Sequence, residues 1–122
     1  MKELEGYKVV ALDEQGNYRS VTQGIRRGQS GRVFPVGKRV RPKKNCGPFG
    51  VFDRLGDAHS FESALYCDQC RIFRCSIEES RHMKVWDQKG NSTEVRWMPF
   101  GTRLADSVTL IEQVWPVKEV EG

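Results

Sequence analysis

Residues 49–77, FGVFDRLGDAHSFESALYCDQCRIFRCSI, decide the fold class. Phe49 to Phe52 is a short apolar run with the composition of a strand. Asp53 follows as an N-cap residue, able to accept from the first free N–H groups of a helix. Leu55, Ala58, Phe61 and Leu65 then recur at spacings of three and four, which gives that helix one apolar face. Gly56 weakens the first turn, so the spacing predicts a helix starting at Asp57. Cys67-Asp-Gln-Cys70 closes it. From Arg71 to Ile77 the period changes to two: Phe73, Cys75 and Ile77 point inward, and Arg74, Ser76 and Glu78 outward. A strand, one helix and a strand therefore stand at the centre of the chain.

Everything on either side of this stretch reads as strand and turn. Gly6 to Leu12 sets Tyr7, Val9 and Ala11 against Lys8, Val10 and Leu12, two fairly apolar faces, as in a strand covered on both sides. Glu14-Gln-Gly-Asn17 is a turn, and Tyr18 to Ile25 the returning strand. Arg26 to Arg32 is a basic, glycine-containing loop. Val33 to Val40 is extended but holds Pro35 and Gly37, which suits a sheet edge. Pro42 to Pro48 is a second loop. Met83 to Trp86 and Thr93 to Met98 form a hairpin around Lys89-Gly-Asn91. Pro99 to Asp106 is a loop, and Val108 to Trp115, rich in β-formers, the last strand. The connections are too short for repeated β-α-β crossovers. The fold class is therefore α+β, predominantly antiparallel β-sheet with one short helix. At 122 residues, without repeats or a linker, the chain reads as one β-rich domain over residues 1–122.

Composition narrows the function. No apolar run approaches the ~20 residues that span a bilayer. The opening MKELEGYKVV lacks the apolar core of a signal peptide, which points to the cytoplasm and away from membranes. In that compartment Cys46, Cys67, Cys70 and Cys75 are reduced thiols or metal ligands rather than disulfides. Cys67-x-x-Cys70 is half of a zinc site that Cys75, Cys46, His59 or His82 would have to complete, a weak match to tetrahedral zinc, so no metal site is expected. Redox chemistry fits poorly too, because the pair follows a helix C-terminus, where a thiolate gains nothing from the dipole. His59 and His82 have no serine or cysteine nucleophile at recognisable spacing, and the carboxylates do not pair. No catalytic residue and no cofactor is expected, and the chain reads as a non-enzyme.

Charge and aromatic residues point to binding instead. The chain carries a formal +4, yet residues 15–52 hold nine basic side chains and no acid. Such a stretch attracts anions: nucleic acid, nucleotides or an acidic protein. Between Arg26 and Lys44 only Phe34 is aromatic, whereas single-strand binding surfaces interleave stacking residues with charge. Nucleic acid is therefore the less favoured partner. Gly24 to Gly31 is not a P-loop, but its backbone N–H groups with Arg26 or Arg27 could cradle a phosphate. The segment Arg96-Trp-Met-Pro-Phe-Gly-Thr-Arg-Leu-Ala-Asp106 offers more. Arg96 and Arg103 suit phosphates, Trp97 and Phe100 suit a purine face, and Asp106 can accept from ribose hydroxyls. The alternative is that Trp97 and Phe100 belong to the core, with the arginines at its rim.

Three further patterns bear on identity: Tyr7-Lys-Val-Val, Gly50-Val-Phe52 before a short helix reaching Phe61, and Gly101-Thr-x-Leu-Ala-Asp106-x-Val-x-Leu-Ile111. Together they resemble small proteins of phages and mobile elements, and within that group the Thoeris anti-defence sponge family. The resemblance implies a β-rich homo-oligomer in the host cytoplasm. It implies a function as well: binding a cyclic ADP-ribose isomer made by bacterial TIR enzymes, and sequestering it without cleavage. Some members also hold cyclic oligonucleotides at a second site. The candidate ligand contacts, chosen on side-chain chemistry and the position of their segments, are Arg96, Trp97, Phe100, Arg103 and Asp106, with Arg26 and Arg27. The alternative from a different class is a basic adaptor that binds nucleic acid or an acidic protein through Arg26 to Lys44, or a mobile-element protein of another function. A small nucleotide hydrolase using His59 or His82 is the third reading.

Overall fold

The computed structural model describes residues 3–21 and 32–117. The expected fold class holds: the described strands pair antiparallel, and there is one short α-helix. The strands are β1 (Glu3–Leu12), β2 (Tyr18–Ser20), β3 (Arg39–Val40), β4 (Phe49–Phe52), β5 (Cys70–Glu79), β6 (Lys84–Trp86), β7 (Ser92–Glu94) and β8 (Thr102–Trp115). The helix α1 (Leu55–Leu65) joins β4 to β5.

Pairing closes on itself. β1 pairs with β5 from Glu3↔Glu78 to Ala11↔Cys70. β5 pairs with β8 from Ile72↔Trp115 to Glu79↔Ala105. β8 pairs with β4 from Thr102↔Phe52 to Ala105↔Phe49. β4 returns to β1 through the single pair Tyr7↔Phe52. The result is a small barrel whose β1–β4 seam is its thinnest part. Beyond that seam β1 turns to β2. The segment 33–40 then bridges Arg19 through Val33 and reaches β8 through Arg39 and Val40.

Two apolar layers follow from this closure. Val10, Phe34, Phe49, Phe73, Ile77 and Leu110 fill the barrel. Val9, Phe52 and Ile72 face the other way and are covered by Ala58 and Phe61 of α1. The inward set predicted on β5, Phe73, Cys75 and Ile77, is the barrel side of that strand. Ile72 is equally buried because the helix covers the other side.

Several local expectations are corrected. The helix starts at Leu55 with Arg54 as its N-cap residue, and no side chain caps it. Asp53 is drawn away by Arg103, whose Nε lies 2.8 Å from its Oδ1. With its carboxylate turned to the guanidinium, Asp53 does not cap the helix. The last strand starts at Thr102, inside the segment read as a loop. Gly101, at φ 85°, reverses the chain there, and Thr102 to Ala105 then pair along β4. The second arm of the hairpin ends early, in a 3-10 turn over Val95–Trp97. Of the predicted return strand, Tyr18–Ser20 is strand, and residues 22–25 lie outside the described residues. Glu78, expected outward, is buried at 5% exposure. It accepts from Ser107 Oγ at 2.6 Å and faces Arg41 at 3.1 Å and Arg39 at 3.7 Å. The Ser107 bond, backed by the two guanidiniums, holds its carboxyl below the usual carboxylate range.

Candidate functional site

The segment 96–106 splits as it leaves the β6–β7 hairpin. Arg96 bonds Glu94 at 2.8 Å, and its guanidinium lies 5.0 Å from the Trp97 ring centre. Trp97 is 72% exposed and Phe100 88%, so neither is core. The alternative reading of these aromatics, as buried residues with an arginine rim, is excluded. Phe100 and Pro99 stand over α1 and enclose with Asp57, Ser60, Phe61 and Ala64 a hollow of about 340 Å³. Asp57 presses against Gly101, where a Cβ would collide with its carboxylate.

The remaining expected residues are placed apart from this hollow. Arg103, on β8, is engaged by Asp53. Asp106 lines a different hollow, of about 280 Å³, with Arg41, Cys46, His82 and Trp86. Arg26 and Arg27 lie outside the described residues. The structure thus brings Arg96 onto Trp97 and places Phe100 on a hollow of its own. Arg103 and Asp106 are not gathered around either.

Each histidine meets one tryptophan, and of the cysteines Cys70 and Cys75 are buried. His59 meets Trp115 edge-on at 5.2 Å, and His82 meets Trp86 at 4.8 Å. His82 shares its hollow with Cys46, yet among the described residues no hydrogen bond joins the imidazole to Cys46 or Asp106. Cys67 and Cys70 face each other across the turn after α1, with the Cys70 N–H donating to the Cys67 carbonyl at 3.3 Å. Burial, with the neighbouring Cys67 thiol, pushes the Cys70 thiol up and keeps it protonated. Among the described residues no three His, Cys, Asp or Glu side chains gather where a metal ion could sit.

One residue that the sequence reading did not single out stands out: Lys8. Among the described residues it is the only basic side chain that the fold buries, at 2% exposure. It shares its side of β1 with Val10 and therefore points into the barrel. Its Nζ donates to the Gly50 carbonyl at 2.9 Å and lies 5.7 and 5.8 Å from the ring centres of Phe34 and Phe49. The ring faces attract the cation. No carboxylate meets it among the described residues. Burial lowers its pKa from 10.5 to about 8, and the one titratable neighbour that acts on it is Cys75. The Cys75 thiol, itself pushed up to about 12 by burial, is neutral at pH 7. Lys8 also lines, with Phe49 and Gly50 that meet its amine, a cavity of about 80 Å³ whose further wall includes Val9, Phe52 and Phe61 of the helix-covered layer, with Met98 and Pro99. That cavity and the hollow under Phe100 share Phe61 and Pro99 as a common wall. A signal for Lys8 was present in the sequence. With Val9 and Val10 both apolar, β1 has no solvent side left for the lysine between Tyr7 and Val9.

No protein-family model, curated protein or solved structure matches the chain.

Proposed function

We propose that this protein is a non-enzymatic binding protein that takes up a small nucleotide of the cyclic ADP-ribose type and holds it unchanged. The observation that carries the reading is the exposure of Phe100 over a hollow of about 340 Å³ beside α1. Pockets for small ligands span roughly 300–1,000 Å³ and are walled by aromatic and apolar side chains with a few polar groups. Phe100 provides a ring face on which a base can stack, and Asp57 and Ser60 supply the polar groups. Arg96, stacked on Trp97, supplies a guanidinium for a phosphate nearby in the chain. Sequestration of an immune signal, a homo-oligomeric state and a place in the host cytoplasm follow from the sequence resemblance. An interface between copies would deepen a site that is shallow on one chain.

The basic-adaptor reading is the rival, and Arg39 and Arg41 are already partly engaged by Glu78. Calorimetric titration with a cyclic ADP-ribose isomer, in low and high salt, separates the two. The sponge reading expects saturable binding with a shallow salt dependence, weakened roughly 10- to 100-fold in Phe100→Ala and kept in Phe100→Tyr. Binding that is unchanged in Phe100→Ala overturns the site. Affinity confined to polynucleotides and collapsing with salt selects the adaptor.

A further inference from the structure

Among the described residues the fold buries one basic side chain, with no carboxylate against it, and that residue lines a small, mostly apolar cavity. The Lys8 ammonium has three N–H donors, and one is used, on the Gly50 carbonyl. Among the described residues the groups that face it from the other elements are the rings of Phe34 and Phe49 and the neutral Cys75 thiol. A buried charge in this state is costly, and an opposite charge brought against it recovers much of that cost.

We infer that this cavity is a binding site for a small monocarboxylate with a short hydrocarbon tail, its carboxylate on the Lys8 ammonium. Two features select this class. The two remaining N–H donors match the two oxygens of a carboxylate. A phosphate would bring more charge and more acceptors than the cavity can satisfy. Its other polar side chains are Ser20 and Thr102, and the Thr102 hydroxyl already donates to the Pro99 carbonyl at 2.6 Å. Volume sets the tail. An engineered cavity of about 150 Å³ admits benzene, so about 80 Å³ suits an acid of three or four carbons. Val9, Phe52, Phe61 and Met98 give that tail an apolar lining. A nucleotide is several times too large for this space. The site is therefore separate from the hollow under Phe100, although the two share a wall.

The test is NMR of protein labelled at the lysine side chains, following the Lys8 methylene next to the amine as propionate is added. Bound carboxylate stabilises the charged amine, so the midpoint of the Lys8 titration should rise by about one unit, a tenfold preference for the charged form. Propionate affinity should fall as pH rises through that midpoint. 1-Propanol, of similar shape and without charge, should leave Lys8 unmoved, and Lys8→Met should abolish propionate binding. A Lys8 midpoint indifferent to propionate overturns the inference. So does propanol that competes equally, or binding that survives in Lys8→Met. The readout is Lys8 itself, so failure here is distinct from failure of nucleotide binding at Phe100.

Discussion

Replacing Lys8 with methionine should stabilise the protein, although it removes a hydrogen bond from the centre of the barrel. The fall of the Lys8 pKa from 10.5 to about 8 corresponds to a folding penalty of about 3 kcal/mol at neutral pH. Methionine keeps the length and the apolar stem and removes the charge. The Gly50 carbonyl then loses its partner, which costs about 1 kcal/mol. The net gain at pH 7 is about 2 kcal/mol, or roughly 6–10 °C in Tm for a chain of this size. The sign with pH follows from proton counting. Between about 8 and 10.5 the unfolded state holds a proton on Lys8 that the folded state has released, so the wild-type protein gains stability as pH rises through that window. Lys8→Met cannot gain in this way. Its advantage should be full below about pH 8, vanish near about pH 9.5 and reverse by about 1 kcal/mol at pH 10.5, where only the lost Gly50 bond remains. Urea unfolding of both proteins at a series of pH values measures the difference directly, because all other titrating groups cancel. A difference that stays constant from pH 7 to 10.5, or a variant less stable at pH 7, refutes the buried-charge account of the barrel.

Other substitutions probe the frame around the two sites. Glu78→Gln should destabilise the protein at neutral pH and flatten its acid transition. The depressed Glu78 pKa contributes stability above the unfolded carboxylate value that is lost as pH falls through the folded one; acid titration of Tm against wild type checks this. Gly101→Ala should cost about 1–2 kcal/mol from its left-handed backbone alone, plus the displacement of Asp57, and so lower the urea midpoint. Phe100→Ala should change stability by less than about 0.5 kcal/mol, because the ring is exposed. The same change should weaken nucleotide binding by roughly 10- to 100-fold, the worth of one stacked base, as read by calorimetry.

Much of the fold was legible because its periodicities are clean. Phe73, Cys75 and Ile77 alternate as barrel residues do, and Leu55, Ala58, Phe61 and Leu65 mark the helix that covers the outside. The readings that failed are those in which a distant partner overrode a local rule. Asp53 has the chemistry of an N-cap, but Arg103 lies fifty residues away in sequence and 2.8 Å away in space. Glu78 continues an outward alternation, and only the closing of β5 against β8 brings Ser107 and the two arginines over it. Thr102 to Ala105 looked like loop because their strand partner, β4, lies on the far side of the helix in the sequence.

The candidate site was legible in chemistry and less so in arrangement. That Trp97 and Phe100 are available for stacking is a fact of the fold, since the barrel fills without them. The placement of Arg103 on Asp53, and of Asp106 in another hollow, depends on the path of β8 and has no local signature. Lys8 was legible as a residue of a strand covered on both sides, but its contacts with Gly50, Phe34 and Phe49 have no local signature. The helix over one face and the closed barrel behind the other remove solvent from the strand together.

Native mass spectrometry of the purified protein, alone and after exposure to cyclic ADP-ribose isomers and cyclic dinucleotides, tests the central claim most directly. The account predicts a species that gains the mass of one nucleotide per site and releases it unchanged on denaturation. A spectrum without added mass, or the release of a cleaved product, would contradict it.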